Sequence, residues 1–110
     1  MTHPESMIQS AICQLLQLHK LFFHSVPNER KASPQAMGRL ISMGLRPGVG
    51  DLVVWWPHGI GYVEVKAPKG KQSENQKRFE DRCIKAGISY DVVYSVEDMQ
   101  TLIAFYCNKG

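Results

Sequence analysis

Asp51, Glu64 and Lys66 are the residues whose types and spacing could do chemistry. They sit in the stretch Gly48-Val49-Gly50-Asp51-Leu52-Val53-Val54-Trp55-Trp56, Pro57-His58-Gly59-Ile60, Gly61-Tyr62-Val63-Glu64-Val65-Lys66. Both apolar runs are rich in β-branched and aromatic residues and are separated by Pro and Gly, so the pattern predicts a β-hairpin. With residues 57–60 as the turn, Trp56 pairs with Gly61, Val53 lies opposite Glu64, and Asp51 lies opposite Lys66. Opposed residues share a face and side chains alternate along a strand. Asp51, Glu64 and Lys66 then converge on one face, while Leu52, Val54, Val63 and Val65 point to the other. A turn one residue longer or shorter would split them.

Two carboxylates on adjacent strands suit a hard divalent cation, magnesium or manganese, which takes oxygen ligands and keeps several waters. The backbone carbonyl of Val65 could add a third oxygen. Such a cation beside a phosphodiester polarises the phosphoryl oxygen and lowers the pKa of bound water. Lys66 could orient the attacking water or neutralise charge in the transition state. The same residues also fit an ordinary ion pair on a sheet face, Lys66 with Asp51 or Glu64. Trp55 and Tyr62, on the same face, read as core or groove-wall aromatics.

These groups need elements to position them. Thr2 and Glu5 form a capping-box pattern that opens a helix running to about Lys20, with an apolar stripe of Met7, Ile8, Ala11, Ile12, Leu15 and Leu18. Glu5 falls at the edge of that stripe, where it either faces the acids or simply caps a positive helix end. Residues 21–26 read as a strand. Ser33-Pro34 opens a short helix to Met43, stopped by Gly44. After the hairpin, Ser73 to Gln76 is a second capping box, opening a helix to about Ala86. Its inward stripe is Gln76, Phe79 and Cys83, and its outward flank is Arg78, Arg82 and Lys85. Gln76, on the first turn, could hold a water or a phosphate. Glu74 and Arg78, and Asp81 and Lys85, are spaced as i,i+4 ion pairs. Residues 88–94 form a last strand, and Ser95 caps a helix to about Phe105. The order α-β-α-β-β-α-β-α implies one α/β domain around about four strands. The helix after Lys66 makes a parallel crossover to the last strand.

Composition narrows the classes. At 110 residues with 44% apolar content the chain suits one folded domain, and no run is long enough to span a membrane. It therefore reads as soluble and intracellular. Cys13, Cys83 and Cys107 are scattered and odd in number, which fits reduced core thiols rather than zinc or disulfides. The net charge is only +3, but Lys69, Lys71, Arg78, Arg82 and Lys85 give a local basic excess beside the hairpin end, suited to a polyanion.

Taken together, these residues resemble the VRR-NUC (virus-type replication-repair nuclease) branch of the PD-(D/E)XK superfamily. The matching pieces are Glu5-Ser6-x-Ile8-Gln9, Pro27-Asn28-Glu29, Gly48-x-Gly50-Asp51-Leu52, Glu64-Val65-Lys66, Ser73-x-x-Gln76 and Tyr90-Asp91-Val92-Val93-Tyr94-Ser95. They run through nearly the whole chain in order. Gly50 departs from the pattern, since the superfamily commonly has proline before the aspartate. The resemblance implies a restriction-endonuclease-like core, α-β-β-β-α-β, and magnesium- or manganese-dependent hydrolysis of DNA. It makes Asp51 and Glu64 metal ligands, Lys66 the catalytic lysine, Glu5 a further active-site acid and Gln76 a supporting polar residue. Asn28 and Arg30 join the lysines and arginines above as expected DNA contacts. The domain also occurs at the C-terminus of Fanconi-associated nucleases. A chain this short looks like the stand-alone phage or bacterial type, a cytoplasmic homodimer cutting branched DNA such as four-way junctions, with no small-molecule cofactor. Two alternatives are a non-catalytic nucleic-acid-binding module on the same fold and a small assembly or inhibitor protein using the hairpin face.

Overall fold

The computed structural model describes residues 4–26, 33–44, 46 and 50–108. The elements are α1 (Pro4–Leu18), β1 (Phe23–Ser25), α2 (Pro34–Ser42), β2 (Leu52–Trp56), β3 (Gly59–Val65), α3 (Glu74–Lys85), β4 (Ser89–Val93) and α4 (Val96–Cys107). With α2 and α4 set aside, this is the α-β-β-β-α-β core. The strands form one sheet in the order β1-β2-β3-β4. β1, β2 and β3 are antiparallel neighbours, and β4 joins β3 in parallel through the α3 crossover.

The local causes are visible in the sequence. Ser33 caps α2 by accepting the Ala36 amide, with Pro34 in its first turn. Ser73 and Gln76 close a reciprocal capping box on α3. Ser95 caps α4 by accepting the Asp98 amide. α1 ends earlier than Lys20, because Lys20 takes φ 57 and lets the Leu21 amide reach back to the Leu16 carbonyl. Thr2, the expected cap of α1, lies outside the described residues.

α1 and α4 pack on one side of the sheet. Ile12 and Leu16 of α1 and Met99 and Ile103 of α4 bury against Leu52, Val54, Trp56, Val63, Val65 and Val93. The α1 stripe is narrower than its sequence suggests. Ile12 and Leu16 are fully buried, while Met7 and Leu18 stay exposed. Both lie roughly 120–140° around the helix from Ile12 at 3.6 residues per turn. α3 covers part of the opposite side, with Gln76 and Cys83 buried and Phe79 edge-on to Tyr62 at 5.1 Å. Among the described residues no helix is long and apolar enough to cross a membrane.

The hairpin turn differs from the expected one. Trp56 pairs with Gly59 rather than Gly61, so the turn is Pro57-His58 alone, and Val53 lies opposite Tyr62 rather than Glu64. Gly59 makes the tighter reversal possible by taking φ 143, a conformation that side-chain-bearing residues rarely adopt. The slip is two residues, so the face of every side chain is preserved. The cysteines are free, but only Cys83 is buried; Cys107 is exposed at the end of α4 rather than in the core.

Candidate active site

Continuing the observed β2–β3 register by one step brings Asp51 opposite Glu64, where Lys66 had been expected. Directly opposed Cβ atoms lie about 5 Å apart. Asp51 is fixed from two sides. Its carbonyl accepts the Val26 amide at 2.8 Å, and its Oδ2 accepts the Val65 amide at 2.7 Å. Since a strand residue's N–H and C=O leave on the same edge, the Val65 carbonyl also emerges on the side of Asp51.

Glu64 is fully buried. A buried carboxylate is costly unless charged or hydrogen-bonding partners hold it. Here Lys66 Nζ stands 3.1 Å from Oε2, and the Tyr90 hydroxyl donates to Oε1. Lys66 is itself buried, and its amide is anchored to the Val93 carbonyl at 2.9 Å, so β4 sets the lysine's position as well as the tyrosine's. Burial, foremost, and then donation to Glu64 push the Tyr90 hydroxyl far above its ordinary value; the charges of Glu64, Glu80 and Asp51 add to this. Tyr90 therefore remains a proton donor throughout the working range. Sequence reasoning placed Tyr90 only in a closing motif and gave it no role at the acids. The usable signal was that a tyrosine in a buried strand must find a partner for its hydroxyl.

Gln76 is buried, but its Oε1 accepts the Ser73 amide at 2.7 Å, so only its amide nitrogen is free of the cap's demands. Glu5 is half-buried in the first turn of α1. Among the described residues no three or more His, Cys, Asp or Glu side chains are grouped to hold a metal ion, so Glu5 does not join Asp51 and Glu64 in such a set. Gly50 explains its own departure from the superfamily pattern. A Cβ there would meet the Tyr62 Cβ at 3.2 Å and the Val63 carbonyl at 3.4 Å.

The basic residues divide into two groups. Lys85 pairs with Asp81 at 2.8 Å, and Glu74 pairs with Lys77 at 3.6 Å rather than with Arg78. Arg78 instead donates to Asn75 at 3.3 Å, and Arg78, Arg82 and Arg46 line a cleft of about 210 Å³. Lys69 and Lys71 are exposed on the loop after Lys66. Asn28 and Arg30 lie outside the described residues.

The donor set fits a hard cation. Asp51, Glu64 and the Val65 carbonyl offer oxygen only, and a magnesium-type ion fills its remaining positions with water or substrate oxygens. An acid, an acid and a lysine at the open end of a central hairpin, on an α-β-β-β-α-β core, have the make-up of a nuclease domain. The sequence profile of the VRR-NUC domain matches residues 3–97, and the chain belongs to that family of nuclease domains. A solved "VRR_NUC domain protein" superposes with a TM-score of 0.77 at 16% identity, covering 100% of this chain and 93% of that one. A second, a "VRR_NUC domain", gives 0.69 at 24% identity, covering 96% and 99%. At these identities the two show the shared fold. No curated protein matches the chain in sequence.

Proposed function

We propose that the protein is a magnesium- or manganese-dependent endonuclease that hydrolyses phosphodiester bonds in structured DNA. The observation that carries this is the buried Glu64–Lys66 pair beside the fixed carboxylate of Asp51. A fold gains little from burying such a pair unless the site uses it. Asp51, Glu64 and the Val65 carbonyl would hold the cation, which would supply charge to the phosphoryl oxygens and acidify a water. Lys66 is the one cation within reach of Glu64 among the described ion pairs, and it orients the attacking water and offsets charge as the P–O ester bond breaks. Tyr90 holds Oε1 of Glu64, which leaves Oε2 as the oxygen that can exchange its lysine partner for a cation. Branched DNA as substrate, and a homodimer to present paired centres, follow from the resemblance; symmetric incision of a junction needs two centres related by a twofold axis.

The test is incubation with labelled four-way, flap, single-stranded and linear duplex DNA, with magnesium, manganese or chelator. Metal-dependent cleavage is expected, strongest on branched substrates. Asp51→Asn and Lys66→Ala should each lose at least ~10²-fold in rate while still binding DNA. Cleavage that survives chelation, or a fully active Lys66→Ala, would remove this mechanism. Salt-sensitive binding without turnover in either metal would leave a nucleic-acid-binding module instead.

A further inference from the structure

Among the described residues, the side of the sheet that carries the acids is only partly roofed. α3 lies over β3 and β4, and toward β1 and β2 a cavity of about 460 Å³ remains. Its floor is Val53, Trp55, Ile60 and Tyr62, all on the Asp51–Glu64 face by strand alternation, and Arg46 and Phe79 stand at its margin. Phe22, just before β1, and His24 of β1 pack on Trp55 with ring centroids at 4.5 and 5.5 Å. Phe22 is 66% exposed and Ile60 43% exposed. Trp55 and Tyr62 between them are half-buried, and a partly exposed aromatic and apolar surface of this kind is a cost in water unless something covers it.

Charge identifies what covers it. Arg46 and Phe79 also line the cleft that holds Arg78 and Arg82, so the aromatic floor and the arginine cleft are continuous. On α3, Lys77 and Lys85 are matched by Glu74 and Asp81. Arg78 and Arg82, one turn apart and facing the cleft, have no acidic partner among the described residues. Aromatic faces continuous with the guanidinium groups of Arg78 and Arg82 are the chemistry of single-stranded nucleic acid, with bases stacking on rings and phosphates meeting arginines. We propose that this groove seats unstacked nucleobases of a single-stranded stretch, on Trp55 and its neighbours, with the flanking phosphates on Arg78 and Arg82. Trp55 stands about 13 Å along β2 from Asp51 at ~3.3 Å per residue. That is at most about four nucleotides, since an unstacked strand advances no less per nucleotide than the ~3.4 Å of a stacked one. The groove therefore grips a strand a few nucleotides from the cutting centre, where a branch or frayed end exposes bases. This inference builds on the nuclease reading but is measured without cleavage.

The experiment measures binding of a twelve-nucleotide oligo(dT) and of a blunt duplex of equal length, in chelator, to the full chain. Trp55→Ala should weaken oligo(dT) binding at least ~5-fold, and Trp55→Tyr should restore most of it. Duplex affinity should change less than twofold. In a Trp56→Phe background Trp55 is the sole indole, and oligo(dT) should quench its fluorescence even if Trp55→Ala fails to fold. Equal oligo(dT) binding by wild type and a folded Trp55→Ala, or no quenching, would overturn the proposal. So would a protein dimer that is lost in Trp55→Ala without DNA present, which would assign the groove to a second copy. Cleavage in magnesium without Trp55-dependent binding would leave the nuclease reading standing and the groove wrong. Trp55-dependent binding without cleavage would do the reverse.

Discussion

The two sides of the sheet are built to opposite specifications. Toward α1 and α4, ten buried residues form one continuous apolar cluster. Toward α3, the buried apolar residues among the described ones are Val53, Cys83 and Tyr90, interleaved with the buried polar residues Asp51, Glu64, Lys66 and Gln76. The same strands supply both sides, since Leu52, Val54, Val63 and Val65 alternate with Asp51, Val53, Tyr62 and Glu64. One side therefore contributes stability, and the other spends some of it to hold charges out of water. The apolar side also fixes the register that aligns the acids, so the two cannot be separated by moving a strand.

Mutations should divide along the same plane. Leu16→Ala, on the apolar side, removes a fully buried side chain and should cost ~2–5 kcal/mol in denaturant unfolding. The triple variant Glu64→Leu/Lys66→Met/Tyr90→Phe, on the other side, replaces a buried pair and its hydroxyl donor with apolar shapes of similar size. Its stability should match wild type or exceed it by ~1–4 kcal/mol, while cleavage is abolished. A triple variant destabilised as badly as Leu16→Ala would mean that the charges support the fold, and the comparison would fail.

Tyr90→Phe probes the charged side more gently. It removes the donor that holds Oε1 of Glu64 without adding bulk. If Glu64 holds a cation as proposed, a partner of this kind is worth ~10–100-fold in metal affinity or activity. The expected readout is a rightward shift in the magnesium dependence of cleavage, with DNA binding in chelator unchanged. The variant also changes alkaline stability. The folded state keeps the Tyr90 proton, whereas an unfolded tyrosine releases it near pH 10. Unfolding is thus increasingly favoured as pH rises past that value. Tyr90→Phe should lose that part of the alkaline decline, which urea titrations at pH 8 and 10.5 would measure.

Much of this arrangement was legible because it depends on alternation and local signals. Ser33, Ser73 and Ser95 cap the helices they mark, and the parallel crossover to β4 follows from the helix between two buried runs. The face shared by Asp51 and Glu64 survived a wrong turn length because the error was even. Partners were less legible. Asp51 meets the Val65 amide rather than Lys66, because the reversal at Gly59 is two residues tighter than composition suggests. Tyr90 reaches Glu64 from a strand 26 positions away, and no local spacing encodes such a contact. Gln76 has the type and place of a site residue, yet its oxygen serves the helix end, and sequence cannot rank those two uses.

The smallest expected effect comes from an acid on the apolar side. Asp91 faces α4, where its Oδ2 accepts the Tyr106 hydroxyl at 2.8 Å. Burial, foremost, raises its carboxyl above the ordinary value, with Glu80 adding to this while Tyr106 and His58 oppose it. A raised carboxyl means that the folded state holds its proton more tightly than the unfolded state does. Its contribution is therefore fully present below the unfolded value of ~3.9 and is lost as pH climbs through the folded value. Asp91→Asn keeps an acceptor for Tyr106 and removes the ionisation. It should equal or exceed wild-type stability at pH 7, by less than ~1 kcal/mol, and the difference should close by about pH 3.5 as wild-type Asp91 gains its proton. Thermal melts of both proteins across that range decide it. A wild type clearly more stable than Asp91→Asn at pH 7 would show that His58 and Tyr106 outweigh burial, and that the α4 side also accommodates a charge by pairing it.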